Sequence, residues 1–258
     1  MKIYVLVKEV PDTYGDRKLD LETGLADRGA GDVVLDEITE RALEVALSYA
    51  DKNPGAEVVS LSMAPETATA SVRRSLAIGA ASAVHVVDEE LRGADLTLTA
   101  EVLAAAIRRG EPDLVITGNL STDGSGGVIP AMLAEHLGYA QATALSAVEI
   151  GDGQLTGTRT GDAGTQDVTV PLPAVISITE ALPDARFPNF KGIMAAKKKP
   201  LEVLSLADLG VSADPALAPR TIMTTVAEKP PRAAGVKITD EGDAAAQLVE
   251  FLAQNRLV

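Results

Sequence analysis

Short apolar runs recur through the first half of this chain, each followed by a helical pattern. The runs are Ile3 to Val7, Val58 to Ser62, Val84 to Val87 and Asp113 to Thr117. Runs this short and this uniformly apolar make strands buried on both faces, and the intervening helices supply the layers that bury them. The spacing predicts helices over Asp36 to Ala50, Pro65 to Ile78, Leu96 to Arg109, and from beyond Gly127 to Leu137. In the first, Ile38, Ala42, Val45 and Tyr49 share one face, Asp36 stands where a cap belongs, and Asn53-Pro54-Gly55 stops the pattern. Strand–helix alternation of this kind specifies an α/β fold, a Rossmann-like parallel sheet whose ligands bind beyond the carboxyl ends of the strands.

The pattern then changes. Residues 144–171 read as short antiparallel strands with turns at Gly151-Asp152-Gly153 and Gly161-Asp162-Ala163-Gly164. Ala174 to Ile178 and Leu201 to Leu204 return to apolar strands, with a proline-bearing loop over 179–200 between them. From about Asp208 to Asp240 no period is visible, and a loop that long does not suit the inside of a compact domain. The expected organisation is an α/β domain over 1–207 and an arm over 208–258 that wraps a partner, closed by an amphipathic helix from Asp240 to Asn255.

Composition narrows the chemistry. The 258 residues include no cysteine and only two histidines, which excludes disulfide scaffolds, thiolate metal sites and cysteine nucleophiles and argues against a histidine metal site. A formal net charge of -14 argues against a broad nucleic-acid face. The apolar start, Met1 to Val7, is shorter than a membrane span or a secretory core and runs at once into Lys8-Glu9, so a cytoplasmic location is expected.

The strongest local signal is Gly118-Asn119-Leu120-Ser121-Thr122-Asp123-Gly124-Ser125-Gly126-Gly127, followed by Val128 and Ile129. It follows a buried strand and opens a helix, where backbone N–H groups and the helix dipole favour an anion. It lacks the Gly-Lys-Ser/Thr of a nucleotide triphosphatase loop and the dinucleotide glycine pattern, so phosphoryl transfer is not indicated. Two readings stay open on these residues, a flexible surface loop and a phosphate cradle. His85 inside a strand and His136 late in a helix read as structural. Asp12, after Pro11, is either a turn residue or a wall of the crevice. Of three phenylalanines, Phe187 and Phe190 share one loop. They form either a partner anchor or a satellite cluster tucked beneath it.

Several stretches together resemble one family over essentially the whole chain. They are Val7-Lys8-Glu9-Val10-Pro11-Asp12, Asp36 to Glu44, Leu76-Ala77-Ile78-Gly79-Ala80, Pro112 to Gly118, Asp123-Gly124, Leu172-Pro173-Ala174-Val175, and above all Ala185-Arg186-Phe187-Pro188-Asn189-Phe190-Lys191-Gly192-Ile193-Met194-Ala195-Ala196-Lys197-Lys198-Lys199. The chain resembles the beta subunit of electron transfer flavoprotein. The resemblance implies a nucleotide-hydrolase-like fold and a heterodimer with an alpha subunit whose own C-terminal domain holds most of the FAD. It also implies a structural AMP and an electron carrier with no catalytic residues of its own. Electrons would come from acyl-CoA and related dehydrogenases and pass to a quinone-linked oxidoreductase. Carried over by position, the AMP site would use Leu6, Asp36, Glu37, Ile38, Thr39, Met63 and Gly118 to Ile129. The docking segment would use Arg186, Phe187, Phe190 and Lys191. Ile38 stands where an aromatic residue near the flavin is common, and Asp36 where asparagine is common. The alternatives are a stand-alone ATP- or AMP-binding protein of the universal-stress type, which leaves 179–258 unexplained, and an adenylating enzyme of the ATP-pyrophosphatase kind, whose Ser-Gly-Gly loop is missing after the first strand.

Overall fold

The computed structural model describes residues 1–214, 216, 221–232 and 234–258, which fall into two units, Met1–Thr224 and Thr225–Val258. The first unit opens with β1 (Lys2–Leu6), a small antiparallel pair β2 (Glu9–Pro11) and β3 (Val33–Leu35), and α1 (Glu37–Lys52). It continues through β4 (Glu57–Met63), α2 (Thr69–Ile78), β5 (Ser82–Val86), α3 (Leu96–Gly110), β6 (Leu114–Gly118) and α4 (Ile129–Leu137). Then come β7 (Ala140–Ile150), β8 (Gln154–Gly161), β9 (Gly164–Pro171), β10 (Ala174–Ile178), α5 (Phe190–Ala196), β11 (Leu201–Leu204) and α6 (Leu206–Leu209).

The main sheet runs β11-β5-β4-β1-β6-β10-β7-β8-β9. It is parallel from β11 to β7, and the β7-β8-β9 ribbon is antiparallel, as the sequence leads one to expect for residues 144–171. The chain moves outward from β1 to β4 and β5, then crosses back to β6 on the other side of β1. That reversal opens a crevice beyond the carboxyl ends of β1 and β6.

Strand side chains alternate between two cores, which is why the strands are mostly apolar on both faces. Ile3, Val5, Leu114, Ile116 and Ile176 pack with α1 and α2 on one face. Tyr4, Leu6, Val115 and Val175 pack with α3 and α4 on the other. On α1 the buried stripe is Ile38, Thr39, Ala42, Leu43, Ala46 and Leu47. The expected Val45 and Tyr49 lie at its margin, because the helix presents its Leu43 and Leu47 side to the sheet. The helix expected from Pro65 starts as a 3-10 turn at Glu66–Ala68 and becomes α-helical at Thr69.

The segment expected as loop over 179–200 contains α5, whose first turn is capped by the Asn189 side chain accepting from the Gly192 amide at 2.8 Å. The first unit also runs past residue 208, where an arm was expected to begin. Leu206 is buried, its amide donates to Asp88 Oδ2 at 3.1 Å, and Leu209, Val211 and Ala213 pack against the α3 core.

Among the described residues of the second unit the one helix is α7 (Ala244–Gln254), inside the span expected from Asp240 to Asn255, and none of its residues is buried. Among the described residues, no helix is long and apolar enough to cross a membrane.

Candidate functional site

Beyond β1 and β6 the loop from Gly118 to Val128 faces the start of α1. The two elements meet closely: a Cβ on Gly118 would lie 2.7 Å from Ile38 Cγ2, so only glycine lets Ile38 pack there. Ile38 is thereby drawn inward, 8% exposed, rather than presented outward. Gly127 has φ +66, and a Cβ there would also meet Leu120 at 2.6 Å.

Asp36 does not cap its own helix, contrary to expectation. Its Oδ2 accepts from the Thr122 amide at 2.9 Å, which ties α1 to the glycine-rich loop and leaves the start of α1 without a side-chain cap. Nor does a side chain cap α4. Two helix N-termini therefore face the crevice with their amides uncapped by side chains, an arrangement suited to an anion. Beside them Asp36 Oδ1 and Thr122 Oγ1 are buried and have no hydrogen-bond partner among the described residues. Burial pushes the Asp36 carboxyl above its ordinary range and the Asp123 charge adds to the rise, while the Thr122 amide, the nearby Thr122 hydroxyl and the Lys8 charge oppose it. Buried polar atoms without partners are costly, so both atoms suit a hydroxyl or amine donor supplied by a ligand.

The other candidates take places around this crevice. Leu6 and Met63 end β1 and β4, and Glu37 and Thr39 lie in the first turn of α1. Thr39 Oγ1 donates to the Asp36 carbonyl at 2.7 Å. Asn119 caps its own loop through Leu120 N at 2.7 Å, and Ser125 N donates to the Ser121 carbonyl at 3.0 Å. Leu120, Gly124, Gly126 and Val128 are exposed, and Ile129 is half-buried at the start of α4. Asp12 takes the turn role, with Oδ1 accepting from Tyr14 N at 2.9 Å.

Three cations that sequence reasoning did not place at the site also converge here. Lys8 Nζ donates to Asp123 Oδ1 at 2.7 Å and to Ser121 Oγ at 3.2 Å. Arg28 reaches Asp123 Oδ2 at 3.1 Å and the Glu9 carbonyl at 3.0 Å, and Arg17 donates to the Thr122 carbonyl. Burial alone would raise the Asp123 carboxyl, but the Lys8 ammonium, Ser121 and the Gly124 amide hold it at about 2. Because the folded value is depressed, the stabilisation is present above the unfolded value near 4 and is lost as pH falls through the folded one. We expect Asp123→Asn to cost on the order of 2 kcal/mol at neutral pH. Denaturation curves across pH should show that difference closing between about pH 4 and pH 2; a constant difference down to pH 2 would remove the ion pairs as its cause.

On the far side of α1, the segment carrying the docking candidates is also ordered. Phe187 and Phe190 are 90% and 80% exposed, so the pair is displayed and not tucked beneath the loop. Lys191 is exposed beside them. Arg186, expected in the docking segment, pairs with Glu44 and Asp51 while its side chain stays 36% exposed. Of the Lys197-Lys198-Lys199 run, Lys199 is committed to the end of α2, its Nζ donating to the carbonyls of Leu76 and Ala80 at 2.9 and 2.6 Å. His85 is fully buried with Nε2 3.1 Å from the Ala64 carbonyl, and His136 is exposed in the last turn of α4. No group of acidic and histidine side chains among the described residues forms a metal cluster.

A mostly parallel sheet with a switch-point crevice, a glycine-rich loop and uncapped helix ends defines an α/β protein of the Rossmann-like class. Comparison with known proteins narrows the class. The family model of the electron transfer flavoprotein domain matches residues 23–209. An electron transfer flavoprotein subunit beta from Mycobacterium tuberculosis is 45% identical over 264 aligned residues covering 99% of both chains. One from Syntrophomonas wolfei is 34% identical, covering 98% of this chain and 96% of the relative. The caffeyl-CoA reductase-Etf complex subunit CarD of Acetobacterium woodii is 33% identical over 82% of this chain and 81% of its own. The chain belongs to the electron transfer flavoprotein family.

Proposed function

We propose that this chain serves as the beta subunit of a heterodimeric electron transfer flavoprotein, holding AMP in the crevice beyond β1 and β6 and docking dehydrogenases through the Phe187–Phe190 tip. The observation that carries the nucleotide reading is the turning of the Asp36 side chain away from its own helix, which leaves the start of α1 without a side-chain cap beside the glycine-rich loop. In this reading the loop amides and the starts of α1 and α4 receive the phosphate. The unpartnered Asp36 Oδ1 and Thr122 Oγ1 meet the hydroxyl or amine groups of the nucleoside, because an ionised carboxylate repels a phosphate. Leu6 and Met63 wall the base. Lys8 and Arg28 act through Asp123, fixing the loop's shape. In this reading the nucleotide is a structural element and the chain a carrier subunit.

FAD, held mainly by the alpha subunit, supplies the redox chemistry. Acyl-CoA or related dehydrogenases donate the electrons and a quinone-linked oxidoreductase receives them, all in the cytoplasm. The test is direct. The chain co-expressed with its alpha subunit should purify as a yellow heterodimer that releases AMP and FAD on denaturation. A colourless homodimer carrying ATP would favour a universal-stress role instead.

A Cβ on Gly126 would meet only Leu96, at an ordinary 3.7 Å, so Gly126→Leu adds bulk at the loop without forcing the fold. This variant should lose AMP and the stabilisation that bound nucleotide gives by mass action, roughly 2.7 kcal/mol at a hundredfold excess over the dissociation constant. Electron transfer in the surviving dimers should change less. ATP hydrolysis present in the parent and absent from the variant would overturn the structural role.

A further inference from the structure

The chain between β10 and β11 places four apolar side chains on its outer surface: Phe187, Phe190, Ile193 and Met194 are all exposed. An apolar tip tends to collapse onto its own protein, and two sets of polar ties prevent this. On the α2 side, Arg73 donates to the Ala196 carbonyl at 3.1 Å, and Lys199 caps the helix end. Gly192 lies so close to the Ala77 carbonyl that a Cβ would approach it to 2.6 Å. On the α1 side, Arg41 holds the Leu182 carbonyl and the Asp184 carboxylate.

The tie nearest the rings is also the most constrained. Glu44 Oε2 accepts from both the backbone amide and Nε of Arg186, at 3.0 and 2.8 Å. Glu44 Oε1 accepts from Arg186 Nη2 at 2.8 Å, and Asp51 Oδ2 accepts from the same nitrogen at 2.9 Å. The Glu44 side chain is only 13% exposed. Burial would raise its carboxyl, yet the Arg186 bonds hold it below the ordinary range, and the paired carboxylates raise Arg186 in turn.

We propose that Glu44, Arg186 and Asp51 form a positioning clamp that sets Phe187 and Phe190 in their docking conformation before a partner arrives. The inference rests on the docking role proposed above and names the residues through which the rings act. A two-point fork pair fixes direction as well as distance. The additional bond to the Arg186 backbone amide fixes the main chain immediately before Phe187. With the main chain fixed, association does not have to order the segment, and that ordering cost is what otherwise weakens docking. In this reading Arg186 acts through the rings, its Nε and Nη2 being held by the two carboxylates.

The test uses the heterodimer with full flavin content, reduced by an acyl-CoA dehydrogenase supplied with its acyl-CoA. Arg186→Gln removes the fork and should raise the apparent KM for the dehydrogenase on the order of tenfold, with kcat at saturation unchanged. Arg186→Lys keeps the charge without the fork and should recover only part of the affinity. Asp51→Asn keeps an acceptor but removes the outer charge and should raise KM about twofold, which keeps the test available if Arg186→Gln does not fold. A Phe187→Ala, Phe190→Ala double variant is the control for the docking role. If that control leaves KM unchanged, the docking reading itself fails. If the control raises KM while Arg186→Gln and Asp51→Asn leave it at the parental value, the clamp is refuted and docking stands. Equal losses of kcat and of thermal stability in the clamp variants, without a rise in KM, would assign the clamp to folding alone.

Discussion

Phe190→Ala is expected to raise the apparent Michaelis constant for the donor dehydrogenase about tenfold or more while FAD content and melting temperature stay at the parental values. The ring is 80% exposed and contributes little to the fold, so a truncation there acts on association and not on stability. A single aromatic side chain entering a pocket on a partner is worth ~2 kcal/mol or more, which corresponds to a factor above ten. Phe187 is 90% exposed and does not pack inward, so Phe187→Ala should weaken docking as well, without loosening the segment. Lys191 is exposed beside the rings, and its removal should act mainly through ionic strength and association rate. Unaltered affinity in Phe190→Ala, measured on dimers with full flavin, would exclude the anchor role.

The sheet was readable because β1, β4, β5 and β6 are covered on both faces, which favours apolar residues on both sides of each strand and makes short, mostly apolar runs. Where a pattern is too short to carry a period, the sequence is silent. β2 and β3 have three residues each and α5 has seven, so none stood out. The face of α1 was misjudged by part of a turn, since Leu43 and Leu47 fit a helical stripe as well as Val45 and Tyr49, and only the position of the sheet selects between them.

The glycine-rich loop was visible as a local run of residues. The cations that shape it were not, because Lys8 and Arg28 meet Asp123 across 115 and 95 residues of sequence. Asp36 looked like a helix cap for a local reason that holds in most proteins. Here the Thr122 amide, 86 residues away, competes for the same carboxylate and takes it. Arg186 likewise looked free, since its partners Glu44 and Asp51 lie on a helix more than a hundred residues earlier. Charges near a candidate surface are therefore the least legible part of the sequence: their role depends on the nearest opposite charge in space, which composition and spacing do not reveal.

Deleting residues 236–258 should leave the α/β unit folded yet weaken assembly with the alpha subunit enough to strip most of the FAD. The argument starts from α7. An isolated helix of 11 residues is marginal in water, because the cost of nucleation is not recovered over so short a length. Helices of this size persist by burying an apolar face, and α7 buries none of its residues, with Leu248, Val249 and Phe251 all exposed. Nor does the preceding run from 225 to 239 contain a helix or strand among its described residues that could pair with it. That face needs a surface to cover it, and the alpha subunit of the heterodimer is the partner we assign to it. The deletion removes no residue from either core of the sheet, so circular dichroism and the thermal transition of the first unit should be retained. Sedimentation of the co-expressed pair should instead show a dissociation constant raised by on the order of a hundredfold, as expected when a face carrying one aromatic and two aliphatic anchors is lost. Leu248→Asp together with Phe251→Asp should reproduce the effect in the full-length chain. If the truncated chain still yields a yellow dimer of parental affinity, α7 serves something other than the alpha subunit.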